Sequence, residues 1–420
     1  MNGGRGTGPF DRSAIATHAC RMTRRPLFAA LVAAFAVTSA FIFVTSRPAA
    51  DGTTTQAGGS AAGEGAAKTP IPIPIPGHEV FGFVPYWEMD AGIAAHLEKT
   101  DLTTLALFSV THKKNGDLAP GERGYRKIEG PLGRRLISEA HKRGVRVELV
   151  YTSFGTGKND AFFRSEDAQE RTIAGLVAMT TDLGVDGVNV DIELLAGEHV
   201  AAYGMFVGRL RTALQAVDGQ AQVSVATSAN ISGSAMALAA SVAGADRIFM
   251  MGYDYHWSGS EPGASAPLAR RDGSVKDLAW SLDLYRDAGV PAERTILGLP
   301  LYGMSWPVEG PELGAARTGR GTVWIPSDNL GTLQDPSASP ALDPLEVVEH
   351  LAVPVGDGWR AIYFDSPATM TPKLALANAR GLAGAGLWAV GYERGLTDYT
   401  RLIATFKAGK LSSSTGVTGS

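Results

Sequence analysis

The sequence predicts an α/β fold, a (β/α)8 barrel of the TIM type, over residues 78–407. Two patterns predict it. An amphipathic helix, a glycine and a short apolar strand recur along the chain, and strands that alternate with helices are typical of a parallel sheet covered on its outside. Eight such strands fit into this one segment, which is the size of a single closed barrel. A doubly wound open sheet is the alternative, but no G-x-G-x-x-G pattern follows the first strand.

Glycines punctuate the predicted units. Gly144, Gly184, Gly289 and Gly381 each follow a predicted helix, where glycine can take the left-handed turn that closes it. The predicted strands, in chain order, are VFGFVPYW, LTTLALFSV, VRVELVY, GVNVDIE, QVSVATSA, RIFMMGYD, TILGLPLYG and AGLWAVG. Residues 307–360 are too many for a simple connection, so they are interpreted as an insertion between strands 7 and 8.

The ends of the chain predict segments outside the barrel. Residues 1–46 hold an uncharged run of 18 residues, 27–44, that follows five arginines. As a helix this run would reach about 27 Å, enough to cross a bilayer core. We expect an exported protein, with the run either removed as a signal peptide or kept as an anchor that holds the barrel on the outer face of the cytoplasmic membrane. Residues 47–77 are interpreted as an Ala/Gly/Pro-rich linker and residues 408–420 as a flexible tail.

Composition narrows the function classes. The formal net charge is −4 and no basic stripe follows the N-terminal segment, so nucleic acid is not an expected partner. One cysteine excludes an internal disulfide and argues against a cysteine-based metal site. Eight histidines form no H-x-x-x-H pair, which argues against a metalloenzyme. We expect a monomer.

Strand 4 concentrates polar residues on one face. In GVNVDIE the apolar residues alternate with Asn189, Asp191 and Glu193, which would point into the barrel while their neighbours face the helices. Glu193 lies at the carboxyl end of the strand, where barrel enzymes keep their active sites. Buried carboxylates cost several kcal/mol unless they are partnered. Two of them in an apolar cavity push their pKa values apart, as acid/base catalysis requires.

Aromatic residues end several predicted strands at the same rim. A ring of aromatic side chains around a carboxylate pair predicts a site for sugar faces, and therefore a glycosidase. Residues i and i+2 of a strand lie about 6.6 Å apart, which leaves both retention and inversion of the anomeric centre open. The aromatic residues are Tyr86, Trp87, Tyr253, Tyr302, Trp306 and Trp388.

Three motifs carry a resemblance to a known family. VDGVNVDIE (185–193) resembles the D-G-x-D-x-D-x-E signature of glycoside hydrolase family 18, the chitinase family, with an amide at the middle acidic position. MGYD (251–254) is similar to the strand-6 motif of that family, and GLWAVGYE (386–393) to its strand-8 end. FGFVPYW, YDYHWSGSEPGASAPL and LGLPLYG look most like the spore-cortex and peptidoglycan branch. A departure falls at strand 3, where Ser153-Phe154-Gly155-Thr156 lacks the second glycine of S-x-G-G.

The resemblance implies a role for each matching residue. Glu193 would protonate the glycosidic oxygen and then activate water, and the substrate's own 2-acetamido oxygen would be the nucleophile. Asp191 would orient the acetamido N–H, Tyr253 would hydrogen-bond its carbonyl, Asp254 would support the site and Trp388 would form the floor under the sugar. The resemblance implies no metal or cofactor. It implies a polysaccharide of 2-acetamido sugars, of peptidoglycan or chitin type, cleaved with retention. Further substrate-binding residues expected at the strand ends are Met251, Tyr86, Trp87 and Tyr302.

Two other functions fit the same fold. A family member without activity would serve as a glycan-binding lectin, but lectin-like members typically lose the acid, and Glu193 is present. An endoglycosidase acting on N-glycans would keep the same chemistry on another substrate. Turnover of a chitobioside or chitotrioside separates the lectin from the enzymes, and product masses separate the substrates.

The amide at Asn189 leads to a testable prediction about the pKa of Asp191. An acid at this position would share a proton with Asp191 and raise the pKa of Asp191, whereas an amide can hydrogen-bond Asp191 without adding charge. We expect Asn189→Asp to keep activity and to move the acid side of the pH–rate profile upward. The measurement is kcat against pH for both proteins, and an unchanged profile would make Asn189 a packing residue.

Overall fold

The computed structural model describes residues 78–411, and the predicted barrel is confirmed. Eight strands pair in parallel with their neighbours, and the first pairs with the last, so the sheet has no free edge. The barrel strands are β1 (Glu79–Pro85), β2 (Thr104–Thr111), β3 (Arg146–Phe154), β4 (Gly187–Glu193), β5 (Gln222–Ser228), β6 (Arg247–Met251), β7 (Thr295–Pro300) and β13 (Gly384–Trp388).

Helices pack around this barrel and fill the connections between its strands. In the described part of the chain they are α1 (Ile93–Lys99), α2 (Arg123–Glu129), α3 (Pro131–Lys142), α4 (Thr156–Phe163), α5 (Glu166–Leu183), α6 (Val200–Val217), α7 (Ile231–Val242), α8 (Leu278–Ala288), α9 (Leu330–Leu333), α10 (Pro367–Ala379) and α11 (Thr397–Lys407).

The predicted segment 1–46, the linker 47–77 and most of the tail 408–420 lie outside the described residues. Expectations of export, anchoring and flexibility therefore stay predictions. Between residues 78 and 411, no helix combines the length and the apolar character needed to cross a membrane.

Helix α5 illustrates how local sequence fixes the strand that follows it. The Ser165 side chain accepts a hydrogen bond from the Ala168 N–H (3.2 Å), and two acids in the first turn complement the helix dipole. The helix ends at Gly184, whose φ of 65° lies in the left-handed region that favours glycine. The chain then enters β4 at Gly187. The predicted end of this helix at Gly184 is thus confirmed.

The barrel encloses a small apolar core of its own, separate from the larger core between strands and helices. Phe81, Phe83 and Phe249 lie at its centre, with ring centroids 4.8 to 5.8 Å apart. Glycines make room for them: a Cβ on Gly386 would lie 2.2 Å from the Phe249 ring, and one on Gly298 would lie 2.4 Å from it. The interior is thus packed solid below the mouth, as expected for an eight-stranded barrel.

The insertion between β7 and β13 forms an antiparallel sheet in the order β10-β11-β12-β8-β9. It is wider than the predicted range 307–360, because its first strand starts at Gly303 and its last ends at Phe364. TILGLPLYG reads as one continuous apolar strand, although β7 ends at Pro300 and the chain turns before β8 begins. The strands are β8 (Gly303–Val308), β9 (Thr322–Trp324), β10 (Ala341–Asp343), β11 (Val348–Val355) and β12 (Gly358–Phe364).

Gly386→Ala tests the packing of the barrel interior. The added methyl group has to displace the buried Phe249 ring, and overpacking of this kind typically costs about 1–3 kcal/mol. The free energy of unfolding from urea titration measures the loss. Gly219→Ala is the matched control, because a Cβ there meets nothing within 4 Å, and it should change stability by less than about 0.5 kcal/mol. Equal effects of the two substitutions would contradict a tightly packed interior.

Candidate active site

Strand β4 divides its side chains between the two faces as predicted. Val188, Val190 and Ile192 belong to the outer core between strands and helices. Asn189 and Asp191, on the other face, are buried inside the barrel. Glu193 ends the strand at the mouth and is only partly buried. The alternation therefore brings two carboxylates to the carboxyl end of the barrel.

Burial shifts the proton affinity of both acids upward. It raises the pKa of Asp191 well above its usual range, and the neighbouring charge of Glu193 adds to the shift. Burial, together with the charge of Asp254, raises the pKa of Glu193 to about 7. Glu193 is thus a carboxylic acid that holds its proton close to neutral pH, which suits a general acid.

Tyr253 and Asp254 follow β6, which is two strands away from β4 in the barrel. Burial raises the pKa of Tyr253 well above its usual range, and the charges of Asp191, Asp254 and Glu193 raise it further. Tyr253 therefore stays a phenol that can donate a hydrogen bond, and it lies within electrostatic reach of all three carboxylates.

Asp254 takes a left-handed backbone conformation (φ 63°), and two neighbours hold it there. The Tyr302 hydroxyl donates to Asp254 Oδ1, and the Asp254 N–H donates to Ser265 Oγ (3.0 Å). Tyr302 thus supports an acidic residue instead of lying at the open rim. Met251, at the end of β6, packs against the apolar interior of the barrel.

An aromatic cluster at the mouth is formed by residues of β2, β3 and β13 and of the segment after β1. Trp388 contacts Phe108 (ring centroids 4.8 Å apart) and lies 6.4 Å from Trp87, whose indole N–H donates to the Tyr392 hydroxyl (3.0 Å). Phe154 stacks on Phe108 at 6.4 Å. Trp87 and Phe154 are 38% and 39% exposed at the two ends of the cluster, so apolar ring faces remain open to a ligand.

One aromatic residue of the predicted rim, Trp306, lies elsewhere. Tyr86 contacts Trp87 edge-to-face, with ring centroids 5.0 Å apart, and also packs against the outer core. Trp306 is completely buried in the insertion sheet. The error at Trp306 arises because the sequence does not show that the chain turns after Pro300 and enters a second sheet.

Phe108 and Phe154 are site residues that the sequence reasoning missed. Phe154 pairs in register with Glu193, at the end of β3. The alternation Val150, Thr152, Phe154 on β3 carried the signal, since Val150 lies in the interior core and residues two apart share its face.

Asn189 does not hydrogen-bond Asp191, contrary to expectation. Its Nδ2 donates to Ser224 Oγ (2.7 Å), and the Ser224 hydroxyl donates to Glu148 Oε2. Glu148 is a buried acid one layer below, and burial raises its pKa to about 7. Asn189 Oδ1 and Asp191 Oδ1 are both buried without a hydrogen-bond partner among the described residues. An unpartnered acceptor on Asp191 is available to an N–H group of a ligand.

One group of side chains has the composition of a cation site. Ligand atoms of Asp160, Glu198 and His199 lie within 4.8 Å of one another. Each of these side chains already has a partner. His199 Nε2 lies 3.1 Å from Asp160 Oδ1, and the Arg164 guanidinium lies 3.5 Å from Glu198 Oε1. We assign no ion to them.

The fold and the site together define a TIM-barrel protein with an acidic pair and an aromatic cluster at the mouth. Residues 82–393 match the family model described as glycosyl hydrolases family 18. The chain belongs to this family.

Similar proteins include both enzymes and a glycoprotein. The chain is 27% identical over 220 residues to the oviduct-specific glycoprotein of Bos taurus, covering 49% of this chain and 41% of that protein. It is 26% identical over 215 residues to the cortical fragment-lytic enzyme of Bacillus cereus, covering 49% and 46%. The chain thus spans less than half the length of these two relatives. The solved Group IV chitinase of Ostrinia furnacalis, in complex with allosamidin, superposes with a TM-score of 0.69 at 18% identity, covering 80% of this chain and all of that one.

The raised pKa of Glu193 predicts a stability effect that does not depend on catalysis. Its pKa is about 7 in the folded protein and about 4.5 when unfolded, so the folded state binds more protons between these values and loses stability as pH rises through them. Glu193→Gln removes this penalty. We expect the variant to exceed the parent in free energy of unfolding by about 1–3 kcal/mol at pH 8 and by little at pH 4.5.

Chemical denaturation at the two pH values measures the difference. Glu170→Gln, an exposed change on α5, is the control and should stay within about 0.5 kcal/mol of the parent at both. A gain for Glu193→Gln that is equal at pH 4.5 and pH 8 would mean that proton binding is not its cause.

Proposed function

We propose that this chain is a retaining glycosidase that hydrolyses β-linked glycans containing N-acetylglucosamine, of peptidoglycan or chitin type. The observation that carries the proposal is the pair at the end of β4. Glu193 holds a proton near neutral pH, and Asp191 offers a buried acceptor without a partner. A general acid beside an acceptor for an N–H group fits a 2-acetamido sugar.

The first step breaks the glycosidic bond. Glu193 gives its proton to the glycosidic oxygen, and the leaving sugar departs as an alcohol. The acetamido oxygen of the remaining sugar attacks its anomeric carbon and forms a cyclic oxazolinium ion. Asp191 accepts the acetamido N–H and stabilises the positive charge of this ion, while the Tyr253 hydroxyl donates to the acetamido oxygen and orients it.

The second step restores the protein. The Glu193 carboxylate now removes a proton from water, and the resulting hydroxide attacks the anomeric carbon from the side that the leaving group occupied. The oxazolinium ring opens, the acetamido group is regenerated and the configuration is retained. The substrate supplies the nucleophile, as in the substrate-assisted exceptions to the two-carboxylate scheme.

The aromatic cluster supports binding of a sugar chain at the same place. Trp388 lies 6.4 Å from Trp87, and Phe154 pairs in register with Glu193, so partly exposed aromatic rings lie beside the end of β4. Ring faces of this kind stack on the apolar faces of sugars, and a row of them suits a chain longer than one residue.

Glu193→Gln tests the proposal. General acid catalysis contributes about 10²–10⁴-fold, and we expect kcat on a fluorogenic chitotrioside to fall by that factor while binding of chitotriose persists. For the parent protein, kcat/KM should decrease as pH rises through about 7, since the pKa of Glu193 lies there and the acid must be protonated. Steady-state kinetics from pH 4 to pH 9 measures both effects.

Glu139→Gln, on α3 away from the mouth, is the control and should match the parent. Binding of chitotriose without turnover by the parent protein would identify a lectin instead. Masses of the products from muropeptides, chitin oligomers and a glycoprotein, assayed side by side, would reveal an endoglycosidase for N-glycans.

A further inference from the structure

A lysine with no carboxylate partner lies at the mouth of the barrel, outside the catalytic group. Lys158 is in the first turn of α4, and its ammonium donates to Thr111 Oγ1 (2.6 Å). Among residues 78–411, no carboxylate lies within 4.0 Å of this ammonium. A partly buried cation without a carboxylate in direct contact is costly, and it favours an anionic ligand.

The neighbouring residue ties this turn of α4 to the catalytic strand. Asn159 Nδ2 donates to the Glu193 carbonyl (2.6 Å), and Ser153 Oγ donates to Asn159 Oδ1 (2.7 Å). The Gly155 N–H also donates to the Glu193 carbonyl (3.2 Å). Helix α4 therefore has a fixed position against the end of β4, and Lys158 is held with it.

Register places the ammonium at the height of the reacting groups. Thr111 pairs with Thr152 on the next strand, and Thr152 pairs with Asp191 on the strand after that. Two interstrand spacings of about 4.8 Å put Thr111 roughly 10 Å from Asp191 across the mouth. A ligand bound at Asp191 and Glu193 that extends toward β2 would therefore contact Lys158.

The surroundings of Lys158 are polar but nearly uncharged. Ser109 Oγ lies 3.3 Å from Thr152 Oγ1, so three hydroxyl groups, counting Thr111, line this edge. Burial lowers the pKa of Lys158, and Glu122 is the acid that opposes the shift. His112 is neutral, since burial and the Lys158 charge lower its pKa to about 3. An ammonium has three donors and the Thr111 hydroxyl uses one of them, which leaves donors for a ligand.

We propose that Lys158 binds a carboxylate of the substrate and is a specificity residue that favours muramyl-containing glycans over chitin. This inference rests on the proposed function. Chitin-type chains carry no carboxylate. A muramyl residue carries a lactyl group, whose carboxylate is free or is linked to a peptide with carboxylates of its own. The Lys158 ammonium can donate charge-assisted hydrogen bonds to either kind of carboxylate.

Lys158→Met tests the inference in the full chain, because methionine keeps most of the stem and removes the charge. Three substrates of matched length are compared: a muramyl-containing oligosaccharide without peptide, the same chain with its stem peptide, and chitotetraose. A hydrogen bond to a charged group corresponds to about 10–100-fold in affinity, so kcat/KM should fall by that factor on a carboxylate-bearing chain, mainly through KM. On chitotetraose it should change less than about twofold. A lower kcat/KM on the peptide-free muramyl chain identifies the lactyl carboxylate as the group that Lys158 binds. A lower kcat/KM only on the peptide-bearing chain identifies a carboxylate of the peptide.

Lys158→Arg should keep the preference, and Lys142→Met, at the exposed end of α3, should match the parent on all three substrates. An equal loss of kcat/KM on chitotetraose and on the muramyl chains would assign Lys158 a purely structural role and overturn the inference. No loss of kcat/KM on any substrate would overturn it as well.

Binding affinities test the same preference without turnover. They are measured for the three glycans with the Glu193→Gln protein, with and without Lys158→Met. Absence of turnover by the parent protein would count against the proposed function alone.

Discussion

Closure of the parallel sheet is the constraint on which the rest of the structure depends. Because β1 pairs with β13, there is no edge strand, and each inward side chain faces a narrow interior already filled by aromatic rings. Inward polar groups then have two options. They reach solvent at the mouth, as Glu193 does, or they find partners inside, as Glu148 does through Ser224. The position of the acidic pair Asp191 and Glu193 is thus a consequence of the barrel geometry combined with a period of two on β4.

The same geometry explains why an amide stands at position 189. Glu148, Asn189 and Asp191 lie in one buried region, and the two acids already have raised pKa values because burial disfavours their charged forms. A third carboxyl between them would face like charges above and below. The amide donates to Ser224 and completes the hydrogen bond to Glu148 without adding charge. Asp191 Oδ1 stays a buried acceptor without a partner among the described residues, at the expense of folded stability.

Features that depend on residues close together in the sequence were predicted, and features that depend on contacts between distant segments were not. Local signals, such as the glycine after α5 and the alternation on β4, predicted the barrel and the faces of Asn189, Asp191 and Glu193 correctly. The limits of the insertion were wrong because the break after Pro300 lies inside a continuous apolar run, and only pairing between β8 and β12 reveals it. The burial of Trp306 and the hydrogen bonds of Lys158 depend on contacts between distant strands and helices. No local pattern encodes such contacts.

The insertion sheet supports an acidic residue at the mouth of the barrel, Asp254. Tyr302, which immediately precedes β8, donates to Asp254, and the Ser265 hydroxyl donates to Tyr302 (3.3 Å). Glu346, between β10 and β11, accepts hydrogen bonds from the backbone N–H groups of Ala264 (2.7 Å) and Arg271 (2.9 Å).

Both ends of the segment that carries Tyr253 and Asp254 are therefore fixed, one by β6 and the other by the insertion. A left-handed residue such as Asp254 persists only where its surroundings hold it in place. The insertion supplies part of that support. The acetamido-binding side of the proposed site thus depends on the added sheet, which also holds the Asp254 charge that contributes to the raised pKa of Glu193.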